Sequence, residues 1–383
     1  LIDRRMDACM EEQPEEFPQT LGERLKLHRE LFDSFRRLDI LQELVDDPRV
    51  TEIMVNGPDQ VFVETGGKIG RWEKSFESRE QLEDLIQQIV SSVNRIVNTS
   101  MPLADARLSD GSRVHVVLEP IALNGPILTI RKFPEPMTME RLLDYGSISP
   151  EAADLLKTLV AARYNIFVSG GTGAGKTTFL NALSEFIPPG ERVITIEDAA
   201  ELQLNHIENL VRMETREANA EGAGAIGIGE LIRAALRMRP DRLIIGEVRG
   251  KEALDLLQSL NTGHDGGFSS GHANSVKDML SRLETMVLMA ADLPLAAIRS
   301  QIASAVDIMV HVSRMRDKTR KVTAIEEVDR FENGEIILNP LFTFREAEKA
   351  GDGFGNTGKV EGSLEQIGTL KHREKLRLAG YRV

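Results

Sequence analysis

Gly170-Gly171-Thr172-Gly173-Ala174-Gly175-Lys176-Thr177 meets every fixed position of the pattern G-x-x-x-x-G-K-[ST]. Such a loop works only between a buried strand and the start of a helix, so it limits the fold as well as the chemistry. Both neighbours are in place. The apolar run Asn165-Ile166-Phe167-Val168 reads as a buried parallel strand, and Thr178-Phe179-Leu180-Asn181-Ala182-Leu183 is helix-competent. The glycines let backbone N–H groups turn inward around phosphate oxygens, and the helix presents its positive end to the same anion. Gly171 to Thr178 are therefore the candidate phosphate-binding residues: Gly171, Thr172, Gly173, Ala174, Gly175, Lys176, Thr177 and Thr178. Lys176 reaches the β- and γ-phosphates and Thr177 ligates Mg²⁺ in such loops. The pattern predicts a nucleoside triphosphate as ligand.

At 383 residues the chain is too long for one ordinary domain. Its composition predicts sizeable cores. A net charge of −13, with one tryptophan and three tyrosines, offers little to a protein that coats nucleic acid. The one cysteine, Cys9, excludes a disulfide framework and a four-thiolate zinc site. That suits a reducing, cytoplasmic setting. No apolar run approaches the roughly 18 residues of a membrane span. Leu1 is no initiator, so the chain is expected to begin inside a longer protein.

Five segments are expected. Residues 1–45 read as a charged helical extension, with Leu21, Leu25, Leu27, Leu31 and Leu41 as a patchy apolar stripe. Residues 46–133 read as a small α+β domain with an antiparallel sheet. Its strands are Val50–Val55, Gln60–Glu64, Arg113–Val117 and Ile127–Arg131, and its helix runs from Glu80 to Asn94. Residues 134–145, opened by Pro134 and Pro136, read as a linker. Residues 146–345 alternate strands and helices, as an open, mostly parallel α/β sheet does. Residues 346–383 read as a mobile glycine-rich stretch followed by one basic helix, Leu364 to Leu378.

Acids stand at the C-terminal ends of two strands downstream of the loop, the edge where an α/β sheet builds its site. Strand 192–196 delivers Glu197, and Leu243-Ile244-Ile245-Gly246 delivers Glu247, which fits the acid that holds Mg²⁺. Thr262 to Asn274 adds His264 and His272 around a small-residue strand. A histidine there can donate to the γ-phosphate, whereas the pair lacks a third metal ligand of matching spacing.

Four segments together resemble one family. Residues 170–178, 195–201, 237–250 and 262–275 look like the Walker A, Asp box, atypical Walker B and His box of the secretion ATPases. Within it, Asp105 to Val114, Leu128 to Phe133 and His372 to Leu376 are similar to the Tad/Flp pilus assembly ATPases, the CpaF branch. The zinc insert of the type II and pilus-extension members is not compatible with a single cysteine. The resemblance implies a RecA-like motor domain, a PAS-like N-terminal domain and a homo-hexameric ring that uses ATP and Mg²⁺. It also implies a place at the inner-membrane face, where the ring drives a platform protein and the pilus assembly machinery, with no nucleic acid as partner. It gives Glu197 the attacking water, Glu247 and Thr177 the metal, His272 the γ-phosphate, and Arg113 and Arg131 a reach to the nucleotide from the N-terminal domain. Gly246 departs from the aspartate of many Walker B strands, which leaves the division of labour between the two acids open. A type IV secretion traffic ATPase is the alternative within the family. A RecA-like nucleic-acid motor and a small-molecule kinase are the alternatives outside it.

Overall fold

The computed structural model describes residues 38–93, 95–132, 137–216, 218, 223–347 and 360–382. Most of the expected N-terminal extension, the Pro134/Pro136 joint and the stretch 351–359 lie outside them. The chain divides into two compact units, Leu1–Glu135 and Pro136–Val383.

In the first unit, alternation of apolar and polar residues builds a half-buried antiparallel sheet. Its strands are β1 (Val50–Asn56), β2 (Val61–Thr65), β3 (Lys68–Arg71), β4 (Leu103–Arg107), β5 (Arg113–Val117) and β6 (Ile127–Arg131), in the order β3-β2-β1-β6-β5-β4. Val114 and Val116 point inward while Arg113 and His115 point outward. The helix Arg79–Ser92 covers the inner face with Leu82, Leu85, Ile86, Ile89 and Val90, all buried at helical spacing. Each such side chain contributes about 1.5–3 kcal/mol when fully buried. Ser78 caps the helix by accepting from the Gln81 N–H. Leu41 and Leu44, at the end of the expected extension, are buried in the same core.

The second unit is a nine-stranded sheet of β7 (Ile166–Gly170), β8 (Val193–Glu197), β9 (Leu210–Glu214), β10 (Arg242–Ile245), β11 (Phe268–His272), β12 (Ile308–Arg314), β13 (Arg320–Glu332), β14 (Glu335–Glu346) and β15 (Gly362–Gln366). The order is β15-β14-β13-β12-β7-β11-β10-β8-β9. From β12 to β9 all neighbours are parallel, and β12 to β15 form an antiparallel meander. The loop-bearing strand β7 therefore lies inside the sheet and is buried throughout. Successive residues serve opposite faces: Val168 joins one core with Leu180 and Leu183, and Phe167 joins the other with Ile245, Leu256 and Met279. No single described helix is long and apolar enough to cross a membrane.

Three expectations need correction. The segment 134–145 is not wholly a tether, because Met139–Asp144 forms a helix whose Met139 and Leu142 are buried in the second core. Leu364 to Leu378 is not one helix. Ser363 to Gln366 pair with β14, with Leu364 buried between exposed neighbours, and only Glu374–Leu378 is helical. The chain turns between them at Gly368, where a Cβ would lie 2.2 Å from the Pro340 carbonyl oxygen. Nor is 360–382 a loose tail. Glu327, 1% exposed, accepts from the backbone N–H of Lys371 at 2.9 Å, of His372 at 2.7 Å, and from Asn339 Nδ2 at 2.7 Å. Lys375 Nζ donates to Asp307 at 2.6 Å and Asp265 at 2.7 Å, and Tyr164 Oη donates to the His372 carbonyl at 2.6 Å. Glu327→Ala removes one buried acceptor shared by three part-buried hydrogen bonds, so it is expected to lower stability by about 1.5–3 kcal/mol. A urea melt within about 0.5 kcal/mol of wild type, the range of an ordinary surface change, would count against this docking role.

Candidate active site

Parallel pairing of β7, β11, β10 and β8 brings Gly170, His272, the residues after Ile245, and Glu197 to one edge. There β7 passes into the loop and then the helix Lys176–Ser184. Gly175 caps that helix at φ 97°, a left-handed conformation that a side chain would strain. Gly170 is required for space, since a Cβ there would lie 2.4 Å from the Val312 carbonyl oxygen. Ala174 is buried under the loop, while Thr172 and Gly173 face solvent and Gly171, Thr177 and Thr178 are half-buried.

Lys176 is 8% exposed. Its Nζ donates to the carbonyls of Gly170 at 3.3 Å and Gly171 at 3.4 Å, and to His272 Nδ1 at 3.1 Å. An ammonium has only donors, so Nδ1 is the acceptor and the His272 proton sits on Nε2. Burial pushes the imidazole below its ordinary value and keeps it neutral, against the opposing pull of Glu247. Burial likewise lowers the Lys176 ammonium, and Glu247 acts to restore it. His272 Nε2 lies 2.9 Å from Glu247 Oε1. The ring N–H is not aimed at that oxygen, which is buried and lacks a hydrogen-bond donor. Glu247 Oε2 accepts from Arg249 Nη2 at 2.8 Å, and Arg249 Nη1 lies 3.7 Å from Asp198. Lys176, His272, Glu247 and Arg249 thus form one contact chain along the strand ends.

Glu197 is not a link in it. The residue is 3% exposed, and its carboxylate accepts from the Glu201 N–H at 2.9 Å and the Leu202 N–H at 3.1 Å. Burial pushes its pKa up to about 7 against those two amides. The same side chain explains Gly246. A Cβ at 246 would lie 2.9 Å from Glu197 Cγ, so the acid on β8 fills the space that an aspartate at the end of β10 would need.

Arg113 and Arg131 sit directly opposite each other on β5 and β6 of the first unit, and Arg107 on β4 pairs with Arg113 in the same row. Only the pairing register reveals that third arginine. Sequence reasoning also misses Arg320: its Nε donates to the Gly173 carbonyl at 2.9 Å, from a strand 147 residues downstream of that glycine. His264 stays apart from the contact chain, and its Nδ1 is buried without a partner.

Among the described residues no three His, Cys, Asp or Glu side chains converge to hold an ion. One orphaned carboxylate oxygen on Glu247 and the Thr177 hydroxyl suit an ion that takes its remaining oxygens from water and a phosphate ligand, as Mg²⁺ does.

A family model described as "Type II/IV secretion system protein" matches residues 36–341. The chain belongs to this family, the secretion ATPases. A protein of Mycobacterium tuberculosis H37Rv named for conjugal transfer is 39% identical over 293 residues, 75% of this chain and 83% of that one. PtlH, a type IV secretion system protein of Bordetella pertussis, is 35% identical over 291 residues, 69% and 86% of the two chains. VirB11 of the Brucella suis type IV secretion system is 33% identical over 308 residues, 72% and 84%. Among solved structures, the pilus retraction motor PilT with bound ADP aligns over 79% of this chain and 81% of its own, with a TM-score of 0.55 and 18% identity. DotB of Legionella pneumophila, an ATPase, covers 76% and 79% at a TM-score of 0.54 and 19% identity. These two likenesses establish that this secretion ATPase shares their fold, the mixed α/β class expected from the loop.

Proposed function

We propose that this secretion ATPase is a homo-hexameric motor that couples hydrolysis of Mg·ATP to assembly of a Tad/Flp-type pilus, through an inner-membrane platform protein. The observation that carries the hydrolytic part is the contact chain Lys176–His272–Glu247 at the mouth of the phosphate loop. It sets a cation, a neutral N–H donor and a carboxylate side by side where a γ-phosphate would end. The loop amides of Gly171 to Thr178 hold the phosphates. Thr177 and Glu247 would hold Mg²⁺, which screens phosphate charge when bound. His272 offers its Nε2–H to the terminal phosphate. Glu197 accepts the proton of the attacking water. Phosphoryl transfer depends on positioning and charge cancellation, so one loop lysine needs help from further cations. Arg113 and Arg131 supply it, with residues 46–133 acting as the sensor and 146–345 as the motor.

The pilus assignment rests on the segments Asp105 to Val114, Leu128 to Phe133 and His372 to Leu376. The names of the PtlH and VirB11 relatives favour a second reading, a type IV secretion traffic ATPase at the same cytoplasmic membrane face. The two separate in a strain lacking the protein: the first loses surface pili, the second loses transfer of its cargo. For the motor itself, sedimentation and turnover are measured on the purified chain. A six-subunit species that hydrolyses ATP with no acceptor and no nucleic-acid stimulation is expected. A monomer with full turnover would refute the ring. Turnover that needs a small-molecule acceptor would refute the motor.

A further inference from the structure

We infer that His311 is a positioning residue for the hydrolytic site, fixing the segment that carries His272 against the loop-bearing strand; this rests on the role given to His272 above. β12 pairs with β7 so that His311 stands opposite Ser169, the last residue before Gly170 on that face of the sheet. His311 is 7% exposed and Ser169 is 0% exposed. His311 Nδ1 and Ser169 Oγ are 2.8 Å apart. The backbone of Asn274, two residues past His272, favours a proton on the same ring, as an accepting carbonyl does, and Asp278 is the charged group that faces it. With Nδ1 committed to Ser169, the donor toward Asn274 is Nε2–H. Ser169 then donates to Nδ1, with the Val310 carbonyl at 3.3 Å as its weaker alternative. Burial keeps the ring neutral, the state in which one nitrogen donates and the other accepts.

One imidazole therefore ties two pieces that need each other. Ser169 leads into the loop that carries Lys176. Asn274 follows His272, whose Nδ1 must meet the Lys176 ammonium. Gly271 on β11 lies opposite Ser169 on the other side. The bridge thus links β12, β7 and the segment that follows β11. Ser169 and His311 are both buried and bonded to each other, so the effect is assigned through His272.

The test is a double-mutant cycle on the full chain. Loss of positioning can cost up to about 10²-fold for an ångström of displacement, so His311→Ala is expected to lower kcat about tenfold. KM for ATP should stay within about twofold, since uniform binding is untouched. His311→Gln, which keeps a donor and an acceptor, should recover most of the rate. In a His272→Ala background, His311→Ala should change kcat by less than about twofold, because coupled residues are not additive. If the two losses multiply instead, or if His311→Ala acts on KM alone, His311 does not work through His272 and the inference fails. If His272→Ala turns over at the wild-type rate, the role of His272 fails and takes the inference with it. Should His311→Ala not fold, Ser169→Ala removes the arm of the bridge that reaches the loop-bearing strand and must show the same non-additivity.

Discussion

Lys176→Ala is expected to reduce ATP turnover by about 10²–10³-fold, the range seen when one preorganised donor is removed from developing charge. Burial is the cause. Lys176 is 8% exposed and its ammonium is held by two loop carbonyls, so it is aimed into the loop rather than at solvent. Charge–charge attraction strengthens as water is excluded. The same Nζ donates to His272 Nδ1. Truncation therefore takes the cation from the phosphates and also releases the ring that offers its Nε2–H beside Glu247. Lys176→Arg should not rescue, because a planar fork does not fit a point-charge site of this size. Nucleotide binding should weaken less than turnover, since the loop amides survive. Steady-state phosphate release and a fluorescent-nucleotide titration measure the two effects. Turnover within a few-fold of wild type in Lys176→Ala would remove the basis for hydrolysis at this loop.

The parts of the site that share a strand end were legible in the sequence. Buried parallel strands such as Val193–Glu197 and Arg242–Ile245 read as apolar runs, and the acid that follows each must lie at the same edge. What was not legible depends on contacts between distant segments. Gly246 read as a departure from the usual aspartate, but the space a side chain would need there is taken by Glu197 from the neighbouring strand. Arg320 and His311 carry no local signal, since each matters only through the register of β13 or β12 against what lies beside it. β3 was missed for the opposite reason. All four of its residues are exposed, so no alternation marks it. The hairpin signal was nevertheless present in Thr65-Gly66-Gly67-Lys68, whose two glycines have φ of 61° and 75°. Leu364 to Leu378 misled because its mixture of basic and apolar residues suits an amphipathic helix, whereas Ser363 to Gln366 satisfy their backbone by pairing with β14.

Glu197→Gln is expected to slow turnover and at the same time to stabilise the fold. If Glu197 takes the proton of water, as proposed, it must be ionised, and general-base removal typically costs about 10²–10⁴-fold. Its carboxylate is buried, with a pKa pushed up to about 7 from 4.5. Wild-type kcat should therefore fall as pH drops through about 7, one decade per unit, and level off above it. The inflection should vanish in Glu197→Gln. Stability moves the other way. Between pH 4.5 and about 7 the folded chain holds a proton that the unfolded chain has lost, so stability declines as pH rises through that window. Below it both states are protonated and the penalty is absent; above it the penalty is complete, on the order of 3 kcal/mol at 1.36 kcal/mol per unit. Glutamine carries no charge to desolvate and its carbonyl oxygen still accepts from Glu201 and Leu202. Glu197→Gln should thus unfold at higher urea than wild type at pH 8, and at nearly the same urea at pH 4. A buried acid that costs stability when ionised is a group kept for chemistry rather than for packing. A variant that keeps the inflection near pH 7, or that is less stable than wild type at pH 8, would transfer the base role away from Glu197, with Glu247 as the other acid at the same sheet edge.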